Sequence, residues 1–305
     1  MAQRIVILGG GFGGLYAAKR LERRLGKGAG AEVTLVSETN FMLFTPLLPG
    51  AAAGTLEPRH VVVSLRESLK RTKLVSGSVT GLDTDQRTVA VRSPDGRDLS
   101  IPYDHVVIAL GSVSRTLPIP GLAEHGIGFK TLPDAIALRN RLLQTLEIAE
   151  TLDDEAERAS WLTYVFVGAG YAGLEGLAEL QDFARDVLEH YPRSRATGTR
   201  WLLVEAQNSV MPEIGERLAG FAAAELRSRG IEIRTGTLLE SATADTVTLS
   251  DGEVVPSRTL VWTAGVKPVP VTADLGLPLA DGGRINMTAD LLVRGHDKVR
   301  GNGFV

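Results

Sequence analysis

Cysteine is absent from all 305 residues. That single absence excludes a disulfide framework, a thiolate-bound metal and a C-x-x-C redox pair. Histidine is scarce. His60, His105, His125, His190 and His296 stand singly, none of them spaced with another ligand-type residue in a metal pattern. They read as structural or surface groups, and no metal is expected. Long apolar runs are missing too. The richest stretch, 41–54, is interrupted by Thr45, Pro46 and Pro49 and falls short of the roughly 18 residues a membrane span needs. A strand starting at about Arg4 leaves no room ahead of it for a secretion signal, so a cytoplasmic location is expected. Nor does one sign of charge dominate. The net charge is −3, with no basic tail and no basic-aromatic stripe, so nucleic acid is not an expected partner.

What remains is ordinary globular material, 44% hydrophobic and 23% charged, in a length that favours two domains of roughly 100–200 residues each. Order appears at once in the pattern. The short apolar run 4–8 leads into "GGGFGG" and then "LYAAKRLERRL", whose alanine, leucine and long charged residues predict a strand, a turn and a helix. A second buried strand, "EVTLVSE", ends in Glu38. Hairpin-like strands are expected from 79 to about 102, and another buried strand at 105–110 runs into Gly111. The punctuation of "SRTLPIPG", 114–121, marks a domain crossing.

A long helical stretch follows at 133–159, and its acids Asp153, Asp154, Glu155 and Glu157 read as a solvated helix end rather than a metal site. Then the opening pattern recurs. A strand at 164–167, the turn "GAGYAG", a helix at 173–191 and a strand at 200–204 end in Glu205. A helix at 213–229, strands near 232–235 and 246–249, and the strand "TLVWTAG" ending in Gly265 complete the second copy.

Each copy carries G-x-G-x-x-G, as Gly9, Gly11, Gly14 and as Gly168, Gly170, Gly173. In a dinucleotide site the first glycine makes the tight turn, and the second, lacking Cβ, lets a pyrophosphate come against the backbone. The third lets helix and strand pack, aiming the helix N-terminus at the phosphates. Glycines alone also serve plain strand–helix turns; strand, helix and a ribose-binding acid together favour the dinucleotide. Glu205 repels a 2′-phosphate, and Ala206, Gln207 and Asn208 offer no arginine to receive one, which favours NADH over NADPH. Two dinucleotides on one chain point to a flavin and a nicotinamide, because hydride passes between them without a protein nucleophile. With no cysteine in the chain, electrons must leave for an external acceptor.

At this point the motifs resemble the flavoprotein pyridine nucleotide oxidoreductases with two dinucleotide-binding domains. Within that group, "VTLVSETNFMLFTPLLPGAAAGTLEP", "FVGAGYAGLEGLAEL" and "LVWTAGVKP" resemble type II, non-proton-pumping NADH:quinone dehydrogenases. The resemblance implies an α/β fold of two Rossmann-type three-layer domains, with the NAD domain (113–266) inserted in the FAD domain (1–112 and 267–305). It implies FAD on Gly9, Gly11, Gly14 and Glu38, with Pro46, Leu47 and Leu48 near the isoalloxazine, Val79 by the adenine and Gly111 approaching the cofactor. NADH would lie on Gly168, Gly170, Gly173 and Glu205, with Ala264 and Gly265 at the nicotinamide. Glu175 matches the family glutamate beside the nicotinamide–flavin stack; its other reading is an acid favoured in a first helical turn.

The implied activity is hydride transfer from NADH to flavin and onward to a quinone. A same-fold reductase for ferredoxin, rubredoxin or O₂ and an idle NAD(H)-binding sensor are the rivals. In the family an apolar strand and a Gly-Asp follow a stretch like "GHDKV"; here "RGNGFV" follows, so either the register slips or Phe304 and Val305 begin that strand. The family's C-terminal quinone and membrane-binding region is not in this sequence. Substoichiometric FAD is therefore expected, and peripheral membrane association only for the full-length form. A homodimer is a further expectation.

Overall fold

A computed structural model describes residues 2–26 and 30–301. The chain divides into two compact units, one comprising Met1–Phe44, Val62–Val113 and Val266–Val305, the other Thr45–Val61 and Ser114–Gly265.

Each unit is built on the same plan. In the first, a five-stranded sheet runs in the order Val299–Gly301, His105–Ile108, Gln3–Leu8, Ala31–Ser37, Lys73–Ser76, every pair parallel. In the second, the order is Gly126–Gly128, Thr259–Trp262, Thr163–Val167, Arg200–Glu205, Glu232–Thr235, again all parallel. A three-stranded antiparallel meander accompanies each sheet: Ser78–Asp83, Thr88–Arg92 and Asp98–Pro102 in the first, Leu239–Ala242, Thr246–Leu249 and Val254–Pro256 in the second.

The strands carry near-continuous apolar runs because both faces of each sheet are covered. Alternate residues of Gln3–Leu8 go opposite ways. Val6 and Leu8 join Val79, Val89, Val91 and Tyr103 on the meander side, while Ile7 packs with Leu15, Ala18 and Leu35 under the helix Phe12–Leu25. The second unit repeats this, with Val165 and Val167 packed among Leu239, Val247, Leu249 and Val255. On its other face the Tyr164 ring stacks on Trp201 at 4.4 Å and its hydroxyl meets that of Thr145 at 2.7 Å. Each fully buried aliphatic side chain contributes about 1.5–3 kcal/mol, so either unit holds ample driving force for its own core.

Departures from the sequence pattern have local causes. The stretch 133–159 forms two helices, Leu132–Thr151 and Glu155–Trp161. The first starts in a capping box of Thr131 and Asp134; between the two, Leu152 turns extended, and Asp154 caps the second by accepting the Glu157 amide at 2.7 Å. Asp153 pairs with Arg193 at 2.7 Å, so Asp154 and Asp153 serve as a cap and a surface ion pair. The helix expected at 213–229 is split by Gly215, whose φ of 82° ends the turn Pro212–Ile214 before Glu216–Ser228 begins.

Thr45–Val61, expected within the first domain, groups with the second unit. Its short helix Leu48–Ala52 packs on Leu132–Thr151 and Tyr171–Val187, and Ala51, Ala52 and Ala53 are almost fully buried. At the other end of the sequence, a strand is present at Val299–Gly301 beside His105–Ile108. The alternative start at Phe304 and Val305 lies outside the described residues. Among those residues no helix is long and apolar enough to cross a membrane, and no group of three or more His, Asp or Glu is placed to hold a metal.

Candidate functional sites

Each sheet ends its central strand in a glycine turn wedged between the ends of two neighbouring strands. In the first unit Gly9 N–H donates to Val36 C=O at 2.8 Å, and Ala109 N–H to Leu8 C=O at 2.7 Å. In the second, Gly168 N–H donates to Val204 C=O at 2.8 Å, and Thr263 N–H to Val167 C=O at 2.9 Å. Gly9 and Gly168 have φ of 105° and 108°, conformations open to glycine alone at little cost.

The three glycines of each motif are required by different neighbours. A Cβ on Gly9 would stand 2.2 Å from Ala109 O, and one on Gly168 2.8 Å from Ala264 N. A Cβ on Gly14 would fall 1.8 Å from Gly9 O, and one on Gly173 1.9 Å from Gly168 O. Around Gly11 and Gly170, among the described residues, no atom beyond their own stretch of chain lies within 4 Å of that position. These middle glycines cap their helices with φ near −73° and −74° and no side-chain cap, so the protein itself leaves room there and leaves first-turn amides unspent. A pyrophosphate fits that combination of clear approach, unpaired N–H groups and positive helix end. The residues present therefore fit a dinucleotide at both turns.

The acids differ. Glu205 is half-buried at the end of its strand. One carboxylate oxygen accepts the Ala169 amide at 2.7 Å and the other the Gln207 amide at 2.9 Å. Glu38 is exposed and makes no protein hydrogen bond among the described residues, so all of its acceptor capacity faces outward. The residue after the first glycine of the first motif, Gly10, is constrained by Ser37 and Leu65, against which a Cβ would lie 2.5 and 2.7 Å away; its counterpart Ala169 carries a methyl and is fully buried.

The other expected contacts are placed variously. Pro46 and Leu47 are exposed in a short turn, whereas Leu48 is 3% exposed, its side chain committed to packing. Val79 is a core residue of the first unit, so only its backbone is free to meet a ligand. Gly111 and Gly265 end equivalent strands with φ of 78° and 84°. Gly111 has open space about it, and Arg115 lies 3.9 Å from where a Gly265 Cβ would be. Ala264 packs partly against the core of the second unit. Glu175 stands exposed on the helix Tyr171–Val187. Its pKa is raised, first by partial loss of hydration and then by the Glu179 carboxylate one turn on.

Three contributors escaped the motif reading. The Thr263 hydroxyl donates toward Val167 C=O and Gly168 C=O at 3.0 and 2.8 Å. Arg115 gives its amide to Gly265 C=O at 3.1 Å, and its carbonyl accepts the Trp262 indole N–H at 2.8 Å. Met211 N–H donates to Ala169 C=O at 3.0 Å. For Thr263 a signal existed, since aligning "LVWTAG" with "VVIALG" sets a threonine against Ala109.

Two like units, each with a phosphate-ready turn and an acid one strand over, define a double dinucleotide-binding protein. The chain belongs to the pyridine nucleotide-disulphide oxidoreductase family, whose model matches residues 3–299. It is 33% identical over 97% of its length to the type II NADH:quinone oxidoreductase Ndh of Mycobacterium tuberculosis, covering 65% of that protein. It is 31% identical over 97% of its length to the mitochondrial external alternative NAD(P)H-ubiquinone oxidoreductase B2 of Arabidopsis thaliana, covering 53% of it. Among solved structures it superposes on NDH2 from Plasmodium falciparum in complex with NADH with a TM-score of 0.91 and 22% identity, over 99% of this chain and 64% of that one. The chain thus spans about 65% of the length of the Mycobacterium relative it matches.

Proposed function

We propose that the chain is the dinucleotide-binding part of a flavin-dependent NADH dehydrogenase that passes electrons to a quinone. FAD is assigned to the first unit and NADH to the second, with 113–266 as the inserted NAD domain. The observation that carries this reading is the pair of turns at Gly9–Gly11–Gly14 and Gly168–Gly170–Gly173, in each of which the middle glycine faces open space. The relatives named above as NADH:quinone and NAD(P)H-ubiquinone oxidoreductases supply the direction of the chemistry.

When bound, the reduced nicotinamide supplies a hydride and the flavin a two-electron acceptor that an outside oxidant can reoxidise. The chain's own residues bind and orient. The unspent amides after Gly11 and Gly170 hold phosphate, and Glu38 and Glu205 accept ribose hydroxyls. Glu205 also disfavours a 2′-phosphate, so NADH is the preferred donor. The raised pKa of Glu175 keeps its carboxyl nearer to proton exchange at neutral pH than a free glutamate. No thiol in the chain competes for the electrons. Quinone is the proposed acceptor, and peripheral association with a membrane surface is proposed for the full-length family form.

The test is the flavin spectrum of the purified chain with and without NADH, followed by turnover with a short-chain quinone, a ferredoxin or air as acceptor. Bleaching on NADH and quinone-dependent turnover are expected. Absence of bound flavin even after reconstitution, or full turnover without quinone, overturns the reading.

A further inference from the structure

We propose that Thr263 is a positioning residue for the nicotinamide dinucleotide, its hydroxyl fixing the Gly168 peptide so that the phosphate-binding amides face the ligand. The inference rests on the assignment of NADH to the second unit.

The duplicated architecture provides an internal comparison. The two turns share the φ of the first glycine, its hydrogen bond to the neighbouring strand and the tight seat of the third glycine. They differ in what fills the space behind the first glycine. In the first unit it is backbone, with Ala109 O 2.2 Å from the Cβ position of Gly9. In the second it includes a side chain. Thr263 Oγ1 lies 2.8 Å from the Cβ position of Gly168 and 2.5 Å from that of Gly173. From there its one proton is shared between Val167 C=O and Gly168 C=O at 3.0 and 2.8 Å.

The physical consequence concerns the orientation of peptide dipoles. A phosphate is bound by N–H groups turned toward it and repelled by carbonyls turned the same way. A hydroxyl donating to Val167 C=O and Gly168 C=O holds both carbonyls on the protein side and fixes the start of the turn. The peptides on either side of Gly168 are also held by the Thr263 amide on Val167 C=O, by Val204 C=O and by Glu205; the Thr263 hydroxyl adds a side-chain donor on the Gly168 carbonyl itself. At Gly9 no side-chain hydroxyl does this among the described residues, and closer backbone packing takes its place. The turn of the second unit therefore has a side-chain hydroxyl behind its first glycine that the turn of the first unit lacks.

The experiment uses the full 305-residue chain and its Thr263→Val and Thr263→Ser variants, with NADH affinity read from fluorescence titration, flavin content from absorbance and folding from thermal melts. Thr263→Val keeps the shape and loses the donor; it is expected to weaken NADH binding roughly fivefold with flavin content unchanged. Thr263→Ser keeps the donor and should bind NADH as the wild type does. A Val variant with wild-type affinity overturns the proposal, and so does a Ser variant as weak as Val. Should Thr263→Val fail to fold, Thr263→Ala replaces it, alanine being the residue at the matching position of the first unit, and the same two outcomes decide. A wild-type chain that binds no NADH defeats the assignment of the second unit itself, and this inference with it.

Discussion

Ala169 and Glu205 are joined by a 2.7 Å hydrogen bond from amide to carboxylate, which ties the glycine turn to the end of the neighbouring strand. With Met211 N–H on the Ala169 carbonyl, both backbone polar groups of Ala169 are satisfied. Glu205 thus holds the loop and, in the proposed function, presents its remaining lone pairs to a ribose. In Glu205→Gln, one of the two loop amides meets an NH₂ group instead of an oxygen. NADH affinity should fall about tenfold, or about 1.4 kcal/mol, and the ratio of NADH to NADPH affinity should narrow. Parallel titrations with the two nucleotides measure both effects.

The glycines separate into those the protein needs and those a ligand needs. Gly11→Ala and Gly170→Ala, at ordinary negative φ, meet no atom within 4 Å beyond their own stretch of chain among the described residues. Melting temperatures should hold or rise slightly, by the equivalent of about 0.4–1 kcal/mol. Flavin should be lost from the first variant and NADH binding from the second. Gly14→Ala and Gly173→Ala drive a methyl into a backbone carbonyl and should cost about 1–3 kcal/mol or more in denaturant melts.

Glu175 has a raised pKa, from lost hydration first and Glu179 second. A carboxyl that binds its proton more tightly when folded loses stability as pH rises from the ordinary carboxylate range through the raised value. Glu175→Gln should therefore melt higher than the wild type near neutral pH and match it in acid. It should also slow flavin reduction by NADH more than it weakens NADH binding, as stopped-flow absorbance against fluorescence titration will show.

Glu22 shows the opposite sign. Burial opposes its charge, but the amides of Lys70, Arg71 and Thr72 and the Thr72 hydroxyl all donate to it and win, so its pKa is lowered. That stability is present above the ordinary carboxylate range and lost as pH falls through the lowered value. Glu22→Ala leaves the nearly buried Thr72 groups unpaired and should cost about 1–3 kcal/mol at neutral pH, the gap closing in strong acid. Urea melts at the two pH extremes check it.

The strand–turn–helix units were legible because apolar runs, glycines and acids act locally, and 163–167 or 200–205 could hardly be anything else. The strand Lys73–Ser76 and the hairpin of Phe41–Leu43 with Val62–Ser64 were not, since "KLVS" and "FML" are too short for periodicity to speak. Within the sites, glycines and acids announce themselves by type. Thr263 and Arg115 act through a hydroxyl and a backbone that become meaningful only when distant segments meet. Leu48 shows the converse, a residue whose type suits a ligand and whose place commits it to packing.

The chain enters the first unit, leaves at Thr45, returns at Val62, leaves again at Ser114 and comes back at Val266. Synthesis proceeds from the N-terminus at roughly 5–20 residues per second, which sets an order of events. The unit begun first receives its strand Val299–Gly301, which pairs with His105–Ile108, only after the whole of the second unit has been made. Thr45–Val61 must wait for the helices Leu132–Thr151 and Tyr171–Val187 to emerge. On the ribosome the second unit is thus made before the strand Val299–Gly301 of the first, and no single cut in the polypeptide frees either one intact.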